Sequence, residues 1–356
     1  MLEVTTRDAS DRYLHPSMFP DRFLDESHLE GFMSTPTREL VVDLEFAPGD
    51  VIVLGVAGKI GITLARTIKR AAPQRRVIGV ARFSETGLRE RLHSWGIETI
   101  ACDLLDRAAV LTLPKVPNVI YMAGLKFNYK GREDFLWAMN VLAPSFVAEA
   151  FVGSRIVAFS TIHVYPWSNP LHGGITEESP PLARPGEYGN SVVGRERVFQ
   201  YHTRLHKSSG RIARLVYAID MRYGVLQEIG SWVLDQREIP LETGQVNVIW
   251  QGDAINQIVR LLRHCDADCS PINIGGPESV SVRKIATDFG KLFGIEPKFR
   301  GAEGECLLAN CDRAAELLGN PKVPVNTMVR WVAAWLKEKK PIYGKPSKFE
   351  IRSGVF

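Results

Sequence analysis

The chain has few cysteines and no long apolar segment. Five cysteines among 356 residues are an odd and sparse set, which argues against a disulfide framework and is typical of reduced thiols. No apolar run approaches the length of a membrane span, and the first twenty residues lack the apolar region of a signal peptide. We therefore expect a cytoplasmic protein with no membrane partner.

Clusters of positive charge and metal-ligand spacings are also missing. No Lys/Arg stripe with interleaved aromatic residues is present, so we expect no nucleic-acid partner. His264-Cys265 and Cys269 have no further ligands at zinc-site spacing, so no metal is predicted. The first 48 residues hold four arginines and ten acidic residues, although the whole chain has a net charge of +4. The remaining chain is therefore basic, which suits an anionic cofactor or substrate.

Three glycines spaced by three are the most informative feature that is present. Gly55, Gly58 and Gly61 directly follow the apolar run 51–54, and a helical pattern begins at once. In such a strand–turn–helix unit one glycine permits the turn, one lets the backbone approach a pyrophosphate, and one lets the helix pack against the sheet. The helix N-terminus then binds the phosphate. The pattern predicts a dinucleotide-binding turn; the alternative is a purely structural turn.

Strands and helices alternate beyond this turn, which predicts a parallel sheet covered on both faces. The predicted strands are 77–81, 99–101, 119–122, 155–159 and 212–217, and the predicted helices lie near 85–94, at 134–151, and from 187 past 201. The fold class is therefore α/β, a Rossmann-like doubly wound parallel sheet with a smaller C-terminal α/β substrate lobe.

The predicted organisation has four parts. The acidic, proline-punctuated N-terminal extension has no clear apolar period and is expected to pack on the domain. The parts are the extension (1–48), the dinucleotide-binding domain (49–218 plus 248–275), the substrate lobe (219–247 plus 276–336) and an irregular tail (337–356).

Several further motifs occur in a fixed order along the chain. They are Asp103-Leu104, Ala123-Gly124-Leu125-Lys126, Asn140-Val141, Ser160-Thr161, Val164-Tyr165, Tyr188 with Ser191, the segment 248–253, and the run that begins at Asn273-Ile274-Gly275-Gly276. With the glycine turn, they make residues 50–336 resemble the extended short-chain dehydrogenase/reductases, also called NAD-dependent epimerase/dehydratases. The quartet 123–126 resembles UDP-galactose 4-epimerases in particular.

The resemblance implies a set of site residues. Tyr188, Thr161 and Ser160 are implied as catalytic hydroxyls, with Tyr188 as the acid and base of hydride transfer. The implied cofactor-binding residues are Gly55, Gly58, Lys59, Ile60, Gly61, Arg82, Ser84, Asp103, Leu104, Ala123, Gly124, Lys126, Asn140 and Tyr188. His163 and Arg222 are candidate substrate contacts, although a pocket-lining structural histidine and a surface or interface arginine are equally good interpretations.

The sequence departs from the family pattern at one position. The family places a lysine four residues after the tyrosine, where it lowers the phenol pKa, but here that residue is Val192. Arg195, at i+7 and about 10 Å along the helix axis, and Lys126, after the fourth strand, are candidate replacements. The alternative is that Tyr188 is an ordinary helix-start tyrosine in an inactive site. The nucleotide-sugar dehydratase pattern is also absent, since Ile162-His163 replace its Asp-Glu pair.

The end of the second strand bears on the choice of cofactor. NAD enzymes place a carboxylate there for the ribose 2′-hydroxyl, whereas this chain has Arg82-Phe83-Ser84. A guanidinium suits a 2′-phosphate, so NADP is favoured, with NAD as the alternative. Stacking of Arg82 on adenine would suit both cofactors.

Two functional hypotheses follow. The first is an NAD(P)-dependent oxidoreductase or epimerase that acts on a sugar, sugar acid or nucleotide sugar. The second is a catalytically lapsed nucleotide-binding sensor or scaffold of the same fold. The resemblance also implies a homodimer paired through the two long helices; the apolar positions proposed for that contact are Leu136, Trp137, Phe146, Val147, Val198 and Phe199.

Overall fold

The structure, a computed structural model, describes residues 12–183 and 185–352. Thirteen α-helices and thirteen strands lie in these ranges. The helices are α1 Glu26–Met33, α2 Arg38–Glu45, α3 Gly61–Ala71, α4 Leu88–Ser94, α5 Arg107–Thr112, α6 Glu133–Trp137, α7 Ala143–Ala150, α8 Glu187–His206, α9 Val225–Leu234, α10 Gln251–Arg260, α11 Val282–Phe293, α12 Asp312–Leu318 and α13 Val325–Lys337. The strands are β1 Val51–Leu54, β2 Val77–Ala81, β3 Glu98–Ala101, β4 Asn118–Tyr121, β5 Arg155–Thr161, β6 Ser209–Leu215, β7 Tyr217–Ile219, β8 Glu238–Pro240, β9 Gln245–Val246, β10 Val248–Trp250, β11 Pro271–Ile274, β12 Val280–Ser281 and β13 Lys298–Arg300.

A seven-stranded parallel sheet forms the centre of the molecule, in the order β11-β6-β5-β4-β1-β2-β3. β1 and β4 are neighbours, and the other strands continue from them in opposite directions: β2 and β3 lie beyond β1, whereas β5, β6 and β11 lie beyond β4. The loops that follow β1 and β4 therefore diverge. In open α/β sheets, ligands bind at such a switch point, outside the carboxyl ends of the strands. The predicted Rossmann-like α/β fold class is confirmed.

The side chains of β1 show how the sheet is buried. Val51 and Val53 belong to a core cluster with α2, α3 and α10. Ile52 and Leu54 face the opposite cluster, with α5, α7 and α8. Because successive side chains alternate between the faces, a continuous apolar run is the pattern that a strand covered on both sides requires.

The N-terminal region contains two helices that the sequence analysis did not anticipate. Local capping residues start both helices. Asp25 accepts a hydrogen bond from His28 N at 2.7 Å, and Thr37 accepts one from Leu40 N at 3.1 Å. Phe32 on α1 packs in the core of the C-terminal lobe, whereas Leu40 and Leu44 on α2 lie against the sheet.

The C-terminal lobe has a separate core. It joins α9, α11 and α13 around Trp250 and Trp331, and it includes Phe349 from the segment after α13. Residues 338–352, the described part of the predicted tail, form no helix or strand, and Phe349 packs in the core of the lobe. No helix in the described ranges is long and apolar enough to span a membrane.

Two predicted boundaries bear on the site. The predicted helix at 134–151 is interrupted by a π-helical turn, Ala138–Leu142, between α6 and α7. The predicted strand at 212–217 is two strands, because β6 pairs with β5 and β11 whereas β7 leaves the sheet and pairs with β10. The chain therefore crosses from the sheet to the lobe between Leu215 and Tyr217.

Candidate active site

A cavity of about 290 Å³ opens at the carboxyl edge of the sheet. Its walls come from the turn after β1, the loop after β4, the end of β5 and the start of α8. The lobe closes the other side through Tyr223, Gly224 and Val225, and Ser347 joins it from the C-terminal segment. The cavity therefore lies at the switch point of the sheet, between the sheet and the lobe.

The glycine turn lies beside this cavity and fits a dinucleotide. Gly55 has φ +96°, and a Cβ atom on it would lie 2.7 Å from Ala123 N. A Cβ atom on Gly61 would lie 2.4 Å from Val56 O, so α3 can pack this close only with glycine. No side chain caps the N-terminus of α3. Its free N–H groups and the bare backbone of Gly58 therefore suit an anion, as a pyrophosphate requires.

Tyr188 on α8 lies in the cavity wall beside Thr161, at the end of β5. Burial raises the pKa of the Tyr188 phenol above its ordinary value, whereas the charge of Arg195 and a hydrogen bond with Thr161 lower it. The two hydroxyls predicted from the sequence are therefore brought together.

Lys126 and His163 line the wall next to Tyr188. Lys126 Nζ lies 5.6 Å from the centroid of the Tyr188 ring and 3.4 Å from His163 Nε2. The rings of His163 and Tyr188 meet edge to face at 5.6 Å. Lys126 is therefore close to the ring of Tyr188, and Arg195 acts on its pKa, so both candidate replacements for the family lysine lie at the site.

Arg195 is held in place by Asn140, which lies in the π-helical turn. Arg195 donates to Asn140 Oδ1 at 2.6 Å, and the Asn140 amide donates to Leu125 O at 2.9 Å and to Ser191 Oγ at 3.0 Å. A Cβ atom on Gly124 would lie 2.3 Å from this guanidinium. Asn140 and Gly124, predicted as cofactor contacts, therefore fix the arginine and the loop after β4.

Ser160 belongs to a buried polar network behind the cavity. Its hydroxyl donates to Glu196 Oε1 at 2.5 Å, and Glu196 forms a buried ion pair with Arg214 at 2.6 Å. Arg214 also donates to the Tyr165 hydroxyl at 2.6 Å, which in turn donates to Asn273 Oδ1 at 3.0 Å. Ser160 thus connects the cavity to this network.

Val192 packs in the protein interior. It is 1% exposed, in an apolar cluster with Ile162, Val164 and Val216. Valine suits this site because a lysine side chain there would need to reach a polar partner.

Lys59 projects from the glycine turn toward the lobe. Its Nζ lies 3.2 Å from the centroid of the Tyr223 ring, a cation–π contact. Burial lowers the pKa of the Lys59 amine to about 7; Asp220 opposes this effect, while Lys126, Arg222 and Lys345 add to it.

The remaining predicted cofactor residues lie outside the cavity lining. Arg82 and Ser84 are exposed after β2, and Asp103 is exposed after β3, where it accepts a hydrogen bond from Leu105 N at 3.0 Å. Leu104 is buried against the sheet. Since β2 and β3 neighbour β1, these residues lie along the same edge as the glycine turn.

Arg222, a candidate substrate contact, is buried in a cluster of acids. It pairs with Asp220 at 2.8 Å, Glu30 at 2.9 Å and Glu26 at 3.1 Å. It does not line the cavity among the described residues. The cluster joins α1 to the segment after β7.

Three contributors were missed from the sequence. Glu196 and Arg214 pair across α8 and β6, and Ser347 comes from the far end of the chain. The sequence offered one signal for Glu196 and Arg214, namely opposite charges at helix and strand positions that are otherwise apolar. Ser347 had none, since its position depends on long-range packing.

Residues 51–219 match the sequence model of the NAD dependent epimerase/dehydratase family. None of the curated proteins searched matches the chain significantly.

Many solved structures share the fold. One is MoeE5 in complex with UDP-glucose and NAD, with 21% identity, coverage of 82% of this chain and 99% of that one, and a TM-score of 0.64. A second is the UDP-glucose 4-epimerase of Thermotoga maritima with UDP-glucose, at 16% identity, the same coverages and a TM-score of 0.66. A third is the UDP-glucuronic acid 4-epimerase of Bacillus cereus in complex with UDP-glucuronic acid and NAD, at 19% identity, again 82% and 99%, and a TM-score of 0.66.

These likenesses show the fold, and the family match covers β1 to β7 with Tyr188, Thr161 and the glycine turn. Residues 51–219 of this chain therefore form a domain of the NAD dependent epimerase/dehydratase family.

Proposed function

We propose that the protein is an NAD(P)-dependent oxidoreductase or epimerase that acts on a sugar, sugar acid or nucleotide sugar. The observation that carries the proposal is the position of the Tyr188 phenol. It is hydrogen-bonded to Thr161 and close to Arg195, on the wall of a cavity that adjoins the glycine turn. A proton-transfer group and a dinucleotide turn therefore meet at one site.

In this proposal, the glycine turn and the edge residues after β2 and β3 hold a nicotinamide dinucleotide, which when bound exchanges hydride with a substrate carbon. Tyr188 moves the proton of the oxygen on that carbon, and Thr161 orients the same oxygen. Because its pKa is raised, the phenol is protonated at neutral pH and ready to donate. To accept a proton it needs positive charge nearby, which Arg195 and Lys126 supply.

The substrate class rests on the lining of the cavity and on the relatives. Hydroxyl, imidazole and ammonium groups converge in a space of about 290 Å³, which suits a polar ring of monosaccharide size. The solved structures of MoeE5 and of the two epimerases contain UDP-sugars. These findings support a carbohydrate-type substrate.

The test is turnover on a defined panel. The protein is incubated with NAD or NADP and with sugars, sugar acids and nucleotide sugars, and products are separated by chromatography while nicotinamide reduction is followed by absorbance. Conversion of at least one panel member supports the proposal. Cofactor binding with no conversion of any panel member favours the second candidate function, a catalytically lapsed nucleotide-binding module. The observation that supports this candidate is Val192, which stands where the family has its lysine.

We expect NADP(H) to bind more tightly than NAD(H), and Arg82→Asp to reverse this order. Arg82 is exposed at the end of β2, where a guanidinium favours a 2′-phosphate and a carboxylate favours a 2′-hydroxyl. Calorimetric titration of both cofactors into both proteins measures the change. Equal affinities in the parent protein would remove Arg82 from this role. The solved structures of MoeE5 and of the Bacillus cereus enzyme are complexes with NAD.

We also propose a homodimer paired through the two long helical segments. Leu136, Val147 and Phe199, named from the sequence, are buried within the chain and do not form such a contact. The exposed apolar side chains on these segments are Trp137, Leu142, Tyr201 and Leu205. We expect light scattering to give a dimeric mass, and the double variant Tyr201→Glu, Leu205→Glu to give the mass of a monomer. A monomeric parent at micromolar concentration would contradict the proposal.

A further inference from the structure

A stretch of irregular chain after α13 reaches the cavity. Residues 343–352, called the strap from here on, form no helix or strand. Gly344, Lys345 and Pro346 are exposed, whereas Ser347 is buried and belongs to the cavity lining. The strap therefore turns inward at Ser347 and covers part of the cavity.

The strap is attached to the lobe through α9. Ser347 N donates to Glu228 Oε2 at 3.1 Å, and Ser347 Oγ donates to the same oxygen. Two residues further on, Phe349 is buried and its ring stacks on that of Trp232, with the ring centroids 5.8 Å apart. The lobe thus holds the strap through one polar and one apolar contact.

The polar contact stabilises the Glu228 carboxylate. Burial raises the pKa of this carboxyl group above its ordinary value, whereas the hydrogen bonds from Ser347 lower it. In the described part of the chain, both hydrogen-bond donors to Glu228 come from Ser347. Because hydrogen bonds to a charged group are stronger than neutral ones, loss of the Ser347 hydroxyl would weaken the attachment of the strap.

The strap is also attached to the opposite wall, at the loop after β4. Lys348 Nζ lies 5.9 Å from the centroid of the Phe127 ring. Ile351 packs against an apolar cluster that Phe127 and Tyr188 also join. The strap therefore connects the lobe to the loop after β4 and to the region of Tyr188, across the cavity.

Side chains, rather than a strand ladder, hold the strap in place. Ser347 N and Phe349 N donate to the side-chain oxygens of Glu228 and Ser347, respectively. Lys348 has φ +57°, a left-handed conformation that costs free energy in a residue with a Cβ atom. Segments held in this way open locally at a lower free energy than the core of the domain.

We infer that the strap closes the cavity over a bound molecule and opens at the Ser347–Glu228 contact to exchange it. In the closed state, it joins the lobe to the loop after β4, so both walls of the cavity are fixed around the molecule. The inference rests on the proposed function for the identity of that molecule, a nicotinamide dinucleotide and its substrate. Loops that close over an active site commonly set the rate at which ligands leave.

Hydrogen–deuterium exchange of the full chain, measured by mass spectrometry, tests the opening without a ligand. We expect the strap to exchange about tenfold or more faster than α13, whose Trp331 and Trp335 lie in the lobe core. Ser347→Ala should accelerate exchange by about tenfold in two places, the strap and residues 125–132 on the opposite wall. Ile351→Ala, which releases the other end of the strap, should accelerate exchange in the same two regions.

Ser279→Ala is the matched control. Ser279 Oγ donates to Gln245 Oε1 at 2.5 Å, in the lobe but away from the cavity lining. This variant should leave exchange in the strap and in residues 125–132 unchanged. Thermal unfolding shows whether each variant is folded, and the variants at the two ends of the strap are independent of each other.

The release of a bound dinucleotide tests the closing. Stopped-flow fluorescence measures the rate at which NADH or NADPH leaves the protein. Ser347→Ala and Ile351→Ala should each raise this rate by about tenfold, whereas Ser279→Ala should not. In the parent protein, bound dinucleotide should also slow exchange in the strap.

Three results would overturn the inference. They are exchange in the strap as slow as in α13, faster exchange of the strap in both variants with residues 125–132 unchanged, and an unchanged rate of dinucleotide release in both variants. If the parent binds neither dinucleotide, the proposed function fails by itself, because exchange without a ligand still decides whether the strap opens and whether it joins the two walls.

Discussion

Replacing Tyr188 by phenylalanine is expected to lower turnover by about 10²–10⁴-fold, the usual contribution of general acid–base catalysis. The substitution keeps the buried ring and its contacts with His163 and Lys126, and it removes only the hydroxyl that Thr161 meets. Folding and cofactor affinity should therefore be unchanged. Turnover on the substrate found in the panel, with calorimetric cofactor titration, measures both.

Tyr201→Phe is the matched control for this experiment. Tyr201 lies on the same helix and is 63% exposed, away from the cavity lining. Its variant should turn over at the parent rate. If Tyr188→Phe also did so, Tyr188 would not carry the proton, and His163, whose ring lies 5.6 Å from that of Tyr188, would be the next residue to test.

Replacing Glu196 by glutamine is expected to lower the free energy of unfolding by about 3–5 kcal/mol. Glu196 and Arg214 form an ion pair that is almost fully buried, and Ser160 donates to the same carboxylate. Glutamine leaves the guanidinium charge uncompensated in the interior, where it cannot regain water. Denaturant unfolding of the parent and variant measures the difference.

An exposed ion pair provides the control. Arg76 and Glu98 pair at 2.8 Å with both side chains largely in solvent. Glu98→Gln should therefore cost less than about 1 kcal/mol. A loss of similar size in both variants would show that burial does not set the strength of the Glu196–Arg214 pair. A loss of turnover in Glu196→Gln at unchanged stability would also contradict the structural role assigned to the network.

The parts of the fold that were predicted from sequence are those that local pattern determines. The strand Val77–Ala81 and the start of α8 at Glu187 were placed correctly because an apolar run and a helical pattern each begin abruptly there. The two N-terminal helices were missed although Asp25 and Thr37 cap them, because each spans only eight residues and packs on a different core.

The sequence predicted the motifs that form the site better than it predicted the directions of individual side chains. The glycine turn, Thr161 and Tyr188 follow from motifs, and the structure brings the two hydroxyls together. The direction of Lys59 depends on Tyr223, which is more than 160 residues away in the chain. Arg222 turned toward three acids because α1 supplies two of them. Neither direction can be deduced without the packing of the lobe.

Binding of NAD(H) and NADP(H) to Gly58 variants tests the central claim most directly. A Cβ atom on Gly58 would lie 3.3 Å from the backbone oxygen of Gly55, a tight contact that any two variants at this position share. Gly58→Asp places a carboxylate in the proposed phosphate cradle, and Gly58→Asn is its uncharged match. We expect the parent to bind a nicotinamide dinucleotide, and Gly58→Asp to bind it about tenfold or more weakly than Gly58→Asn. A parent that binds neither cofactor, or equal affinities for the two variants, would contradict the assignment of the glycine turn.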